Sequence, residues 1–215
     1  TRINVESNVK KWLTFGSNSQ LLYSDKSGLP ASFDGAYGAY VFNPLTTAYN
    51  ADGSPTIYPW PEDTFFQNPL APILAKNQNE TYKIITNNYL NIDIPFIKGL
   101  SYRINTGVEF TGINESTYYG LNTKTGLQAK GQLGITSSNN KNLLLENIVN
   151  YNRTFDKHNI SFTGLYSFQN LITRNDATAA SGFPNDVLTY YQANVATTLA
   201  SAAIYQKQTL ISQMA

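Results

Sequence analysis

Two arms flank Asp156 and Lys157, and in both of them apolar and polar residues alternate with a period of two. On the second arm Ile160, Phe162, Gly164, Tyr166, Phe168 and Ile172 fall on one side, opposite Ser161, Thr163, Ser167 and Gln169. On the first, Leu143, Leu145, Val149 and Tyr151 oppose Asn142, Glu146, Asn150 and Asn152. Strand side chains point to alternate faces, so residues 141–155 and 158–174 read as two long strands joined by a tight turn. Each arm exceeds the ordinary strand of roughly 5–6 residues and suits the about 9–11 tilted residues that cross a bilayer. A hairpin of a soluble β-sandwich alternates in the same way. The arms alone leave both architectures open.

The same period recurs at residues 2–7, 12–24, 80–94, 100–112 and from about 200 to the end, giving about seven strands over 1–215. Their connections alternate in length. Short ones fall near 8–11, 95–99 and 155–158; long ones occupy 25–79, 114–140 and 175–200. Tight turns at one end and elaborate loops at the other are the habit of an antiparallel up-and-down meander. Large transmembrane β-barrels are built this way, with short turns on one side and long external loops on the other. The first loop carries most of the prolines and reads as containing short helices, one over Tyr37 to Tyr49 and one over residues 69–75. Lys83, Asp93, Arg103, Glu109 and Glu146 all lie opposite the apolar set. A barrel requires this, because a charge on the lipid face at mid-membrane costs roughly 2–4 kcal/mol. A sandwich also keeps charges off its covered face, so only the alternation of the loops separates the two, and it favours the barrel.

Composition narrows the function. Charged residues make up 13%, about half the usual ~25%. The net charge of +1 gives no electrostatic case for a nucleic-acid partner. There are no cysteines for disulfides or thiolate sites, and no run of ~18 apolar residues for a spanning helix. Residues 1–5 read as the middle of a strand, so the chain is expected to be an internal piece of a longer protein. His158 is the single histidine, which leaves no Ser-His-Asp triad or histidine metal cluster; no enzyme activity, metal or cofactor is expected. Arg103 and Glu109 share a face but lie ~20 Å apart at ~3.3 Å per residue, too far to pair. The candidate ligand-binding residues are the aromatics of the first long loop: Tyr37, Tyr40, Tyr58, Trp60, Phe65 and Phe66. Flat apolar rings beside amides and carboxylates suit sugar or peptide ligands. The plainer reading is that they pack the loop or contact a covering protein.

Two hairpins carry a family likeness. Residues 86–94 running into 97–105, and residues 145–152 running through Phe155, Asp156, Lys157, His158 and Asn159 into 164–169, resemble SusC/RagA-type TonB-dependent transporters. The order and spacing of the two hairpins carry the likeness, which covers most of 1–215. The resemblance implies a bacterial outer-membrane barrel of about 22 strands embedded in lipid. It implies import of glycans, oligosaccharides or peptides beneath a SusD-like surface lipoprotein, with energy from the TonB complex acting on a plug. No plug region is recognisable in this chain. The rival from another class is a soluble extracellular β-sandwich adhesin or carbohydrate-binding module, which requires a second layer over the apolar faces.

Overall fold

The structure is a computed structural model describing residues 1–28, 40, 42–60, 62, 64 and 67–214. Seven strands follow one another: β1 (Arg2–Lys10), β2 (Leu13–Asp25), β3 (Lys76–Asp93), β4 (Leu100–Tyr119), β5 (Gln132–Phe155), β6 (His158–Ser181) and β7 (Thr198–Met214). They form one sheet in sequence order, every neighbouring pair antiparallel. β1 and β7 are its two edges. Among the described residues no second sheet covers the apolar side, where Ile160 and Phe162 are half exposed. The sandwich architecture is therefore not the one this chain adopts.

The turns have local causes. Asp156 adopts the left-handed conformation (φ 50°), which a short polar side chain tolerates, so β5 and β6 meet in a two-residue turn. Gly99 ends the β3–β4 turn with φ 86°, and a Cβ there would lie 2.1 Å from the Asn152 carbonyl oxygen. Only glycine fits that position.

The strands run further toward the loop end than the alternation indicates. β3 begins at Lys76, β4 continues to Tyr119, β5 begins at Gln132 and β6 continues to Ser181. The connections there span 26–75, 120–131 and 182–197. Residues 114–117 and 136–140 carry few apolar side chains, so little change of polarity marks them as strand, yet backbone pairing continues through them to the Tyr118–Leu133 row without a break. At the other end β1 reaches Lys10 through a bulge between Asn8 and Lys10. Short helical segments do occur in the loops: single turns at Ala71–Leu74, Thr189–Tyr191 and Ala193–Val195, and helix α1 (Lys124–Ala129) capped by Thr123. Of the helix expected over Tyr37 to Tyr49, residues 37–39 and 41 lie outside the described residues, and residues 42–48 form turns and bends, not a helix, because Pro44 and the Asn43 side chain direct the backbone into a turn. Tyr49 itself is in a bridge with Pro55.

Register sorts the side chains into two faces. The apolar face carries Leu13, Phe15 and Leu21 of β2, then Ile84, Leu90 and Ile92 of β3. Tyr102, Ile104, Val108 and Phe110 of β4 continue it across to β5 and β6. From β2 to β6 no charged residue interrupts this band. On β5 it is bounded by Lys141 toward the loops and Arg153 toward the turns, about 40 Å apart along a strand at ~3.3 Å per residue. At a barrel tilt of ~40° that stands about 30 Å tall, the thickness of a hydrocarbon core. Several of the polar groups within the band bind one another, although the Asn170 side-chain oxygen is buried without a hydrogen-bond partner among the described residues. Ser17 donates to Asn88 (2.7 Å), Ser19 and Thr86 share a hydrogen bond (2.9 Å), and Tyr102 donates to Asn147 (2.6 Å). Pairing of this kind offsets the cost of desolvating them.

Packing independent of the sheet is confined to the loop end. Tyr118, Leu133 and Ala180 form one register row and are buried with Phe183, against Ile135, Tyr190, Ala193 and Ala196. The connection 182–197 thus folds back onto the apolar face above the band. Asp186 fastens it, accepting from the Tyr118 hydroxyl (2.7 Å) and the Leu121 backbone N–H (2.8 Å), while buried Gln192 donates to Tyr118 and to the Asn185 carbonyl.

Candidate functional site

The polar face holds a groove of about 570 Å³ that includes Asn4, Glu6, Asn18, Tyr89, Arg103 and Glu146 in its lining. Its floor is a single register row. Glu6 faces Gly16, Gly16 faces Tyr89, Tyr89 faces Asn105, and Asn105 faces Glu146. Gly16 explains how the row is joined. A Cβ there would sit 2.2 Å from the Tyr89 ring, so the missing side chain leaves the ring free to cross β2. The Tyr89 hydroxyl then donates to Glu6 on β1 (2.8 Å). The Arg103 guanidinium lies over the same ring at 4.2 Å from its centroid and donates to Asn105 (2.8 Å), whose amide donates to Glu146 (3.0 Å). Four strands are tied by one network of two carboxylates, a guanidinium, a phenol and an amide.

Nearer the loops on the same face, Lys83 pairs with Glu109 (2.6 Å). Arg103 and Glu109 do not meet, as their spacing along β4 requires. Such groups can offer complementary charge and hydrogen bonds to a polar solute. None of the nucleophile–base pairs of covalent catalysis is present in the groove.

The aromatic candidates of the first loop are placed separately. Tyr37, Phe65 and Phe66 lie outside the described residues. Tyr40 is almost fully exposed (89%) and Trp60 half exposed. Tyr58 is half-buried, with the Lys124 ammonium of α1 5.8 Å from its ring centroid. Among the described residues no ring contact joins these three. Their loop is nevertheless built. Fully buried Asn68 donates to the Ala48 carbonyl (2.7 Å) and Thr56 hydroxyl (3.1 Å) and accepts from the Leu70 N–H (2.9 Å), stapling the segment before it to the one after. At the tip Asp52 accepts from the Ser54 hydroxyl (2.6 Å) and N–H (2.9 Å), which hold its carboxyl below the usual carboxylate range.

The groove network escapes sequence reading because its members are far apart in the chain. The signal available is the parity of Glu6, Tyr89, Arg103 and Glu146, all opposite the apolar set, together with a glycine in the middle of an alternating strand.

No family model matches the chain. Over 155 residues, 71% of its length, it is 28% identical to TonB-dependent receptor P3 of Formosa agariphila, of which the match covers 15%. The sheet superposes on a chain of the RagAB peptide transporter with a TM-score of 0.68 at 18% identity, over 99% of this chain and 25% of that one. It also superposes on a chain of the RagAB peptide importer in its open-open state with a TM-score of 0.66 at 17% identity, over 99% of this chain and 24% of that one. The chain thus spans a small part of the receptor and about a quarter of each RagAB chain. An antiparallel meander with one oily and one amide-rich face, the chain is similar in sequence to a part of a TonB-dependent receptor and in fold to a part of the RagAB chains.

Proposed function

We propose that this sheet is a stretch of barrel wall in a bacterial outer membrane, apolar face to lipid and groove face to the lumen, and belongs to a SusC/RagA-type TonB-dependent importer of peptides or oligosaccharides. Energy enters from the TonB complex through a plug elsewhere in the whole protein, and a SusD-like surface lipoprotein covers the mouth. The observation that carries this reading is the two-sidedness of the sheet. A charge-free band of hydrocarbon height backs directly onto a groove lined by Glu6, Arg103 and Glu146. A solvated face behind a lipid-facing one is the arrangement of a conduit, and the chain's part in it is passage and contact, with no catalysis. The loops at 26–75, 120–131 and 182–197 are external, and Tyr37, Tyr40, Tyr58, Trp60, Phe65 and Phe66 are the residues proposed to meet cargo or lid. The RagAB relatives are named for peptides, which favours that class; exposed aromatic rings serve a sugar equally well.

The test is uptake by cells carrying the full-length protein, with labelled oligopeptides and oligosaccharides offered in parallel. The protein should fractionate with outer membranes, and one cargo class should accumulate in a TonB-dependent manner. Trp60→Ala should lower that accumulation several-fold without lowering the amount of protein in the membrane. Recovery of the protein as a soluble periplasmic species, or TonB-independent accumulation, overturns the reading.

A further inference from the structure

Lys141, Arg174 and Lys207 stand together on the apolar face, at the loop-side margin of the band. Lys141 faces Ile172 and Ile172 faces Lys207, so the two lysines occupy one register row, about 10 Å apart at the usual ~4.8 Å between strands. Arg174 rises from the strand between them, one residue pair nearer the loops, roughly 7 Å along β6. All three side chains are exposed. Asp176 takes the Arg174 Nε (2.8 Å) and Nη2 (3.3 Å), and among the described residues no carboxylate lies within ion-pair distance of Lys141 or Lys207. Three cations against one carboxylate leave a patch of about +2, directly above hydrocarbon-facing Leu143, Asn170 and Thr209. Charge there is unnecessary for the sheet, which pairs through its backbone. A cation at this depth is best satisfied by an anion that lives at the same depth.

We infer that this patch is a binding site for the phosphate groups of an outer-leaflet lipid, whose acyl chains lie along the band below. The inference rests on the membrane reading above. The separation of the cations matches a headgroup with more than one phosphate oxygen cluster, and lysine and arginine both serve phosphate, one as a point charge and the other as a fork. Tyr205, opposite Arg174 and exposed, adds an amphipathic ring at the same height.

The experiment uses the full-length protein, extracted from outer membranes and delipidated in a neutral detergent. A bis-phosphorylated acylated disaccharide and its dephosphorylated counterpart are titrated in, and adducts are counted by native mass spectrometry. The phosphorylated lipid should bind at least tenfold more tightly than the dephosphorylated one. Lys141→Gln with Arg174→Gln and Lys207→Gln should abolish that preference, whereas the charge-matched set Lys10→Gln, Lys98→Gln and Lys157→Gln at the turn end should retain it. Excess inorganic phosphate should fail to displace the lipid. Equal binding of the two lipids by the unmodified protein, which needs no variant to fold, overturns the inference. So does an unchanged preference in the first triple variant, or displacement by free phosphate. A protein absent from outer membranes sinks the membrane reading and this one with it; a protein recovered there without phosphate preference sinks this one alone.

Discussion

Gly16 shows how one absent side chain organises a groove. Its backbone is ordinary strand, and its value is the space above it, which the Tyr89 ring fills on its way to Glu6. Gly16→Val places methyl groups inside that ring's volume, and crowding of this kind typically costs about 1–3 kcal/mol. We expect a drop of that size in the stability of the full-length barrel in micelles, followed by denaturant titration. Tyr89→Ala in the same chain should recover most of it, since the obstruction is the ring; a loss that persists would mean that Gly16 serves the backbone instead. The parity of these residues is legible from the alternation of each strand. Their meeting is not, because Tyr89 and Glu6 are 83 positions apart. Register across β1, β2 and β3 has to be known before a tyrosine on one strand can be aimed at a carboxylate two strands away.

The elements are legible where their two faces see different surroundings. Between the charged margins the two faces differ in polarity, so a period of two dominates and the hairpin at Asp156 stands out. Above the margin only Leu133 and Ile135 alternate with polar neighbours and Thr136–Asn140 is polar throughout, so Gln132–Asn140 of β5 reads as loop although it is fully paired. What holds the loop end is a set of particular hydrogen bonds. Asp186→Ala removes the acceptor of the Tyr118 hydroxyl and the Leu121 amide, bonds that typically contribute about 1–3 kcal/mol each when the acceptor is charged. Hydrogen exchange at Leu121 and across 182–197 should quicken while the exchange of β3 and β4 in the band stays unchanged. The tip of the first loop should respond to acid. Because Ser54 depresses the Asp52 pKa in the folded state, the contribution of this carboxylate is complete above its unfolded value. It is lost only as pH falls through the lower folded value. The Ser54 amide resonance should therefore hold its position from neutrality through the ordinary carboxylate range and move only in stronger acid. Asp52→Asn should flatten that response.

At the scale of the whole molecule, the apolar band makes a sided prediction. Leu145 lies within the band and Ser167 on the opposite face beside Glu146. Leu145→Arg should destabilise the full-length barrel in liposomes by roughly 2–4 kcal/mol, and Ser167→Arg by less than about 1, both read from reversible unfolding. Equal penalties would mean that neither face meets lipid. Every strand here bonds only to its predecessor and its successor, and each reverses the direction of the one before. Excising the hairpin β5–β6 would leave β4 and β7 still running opposite ways, with their loops still on a common rim. The wall can consequently lose or duplicate strands two at a time without reversing any that remain. Circumference is thus free to drift by whole hairpins, and bore size can change over evolutionary time with no redesign of the staves.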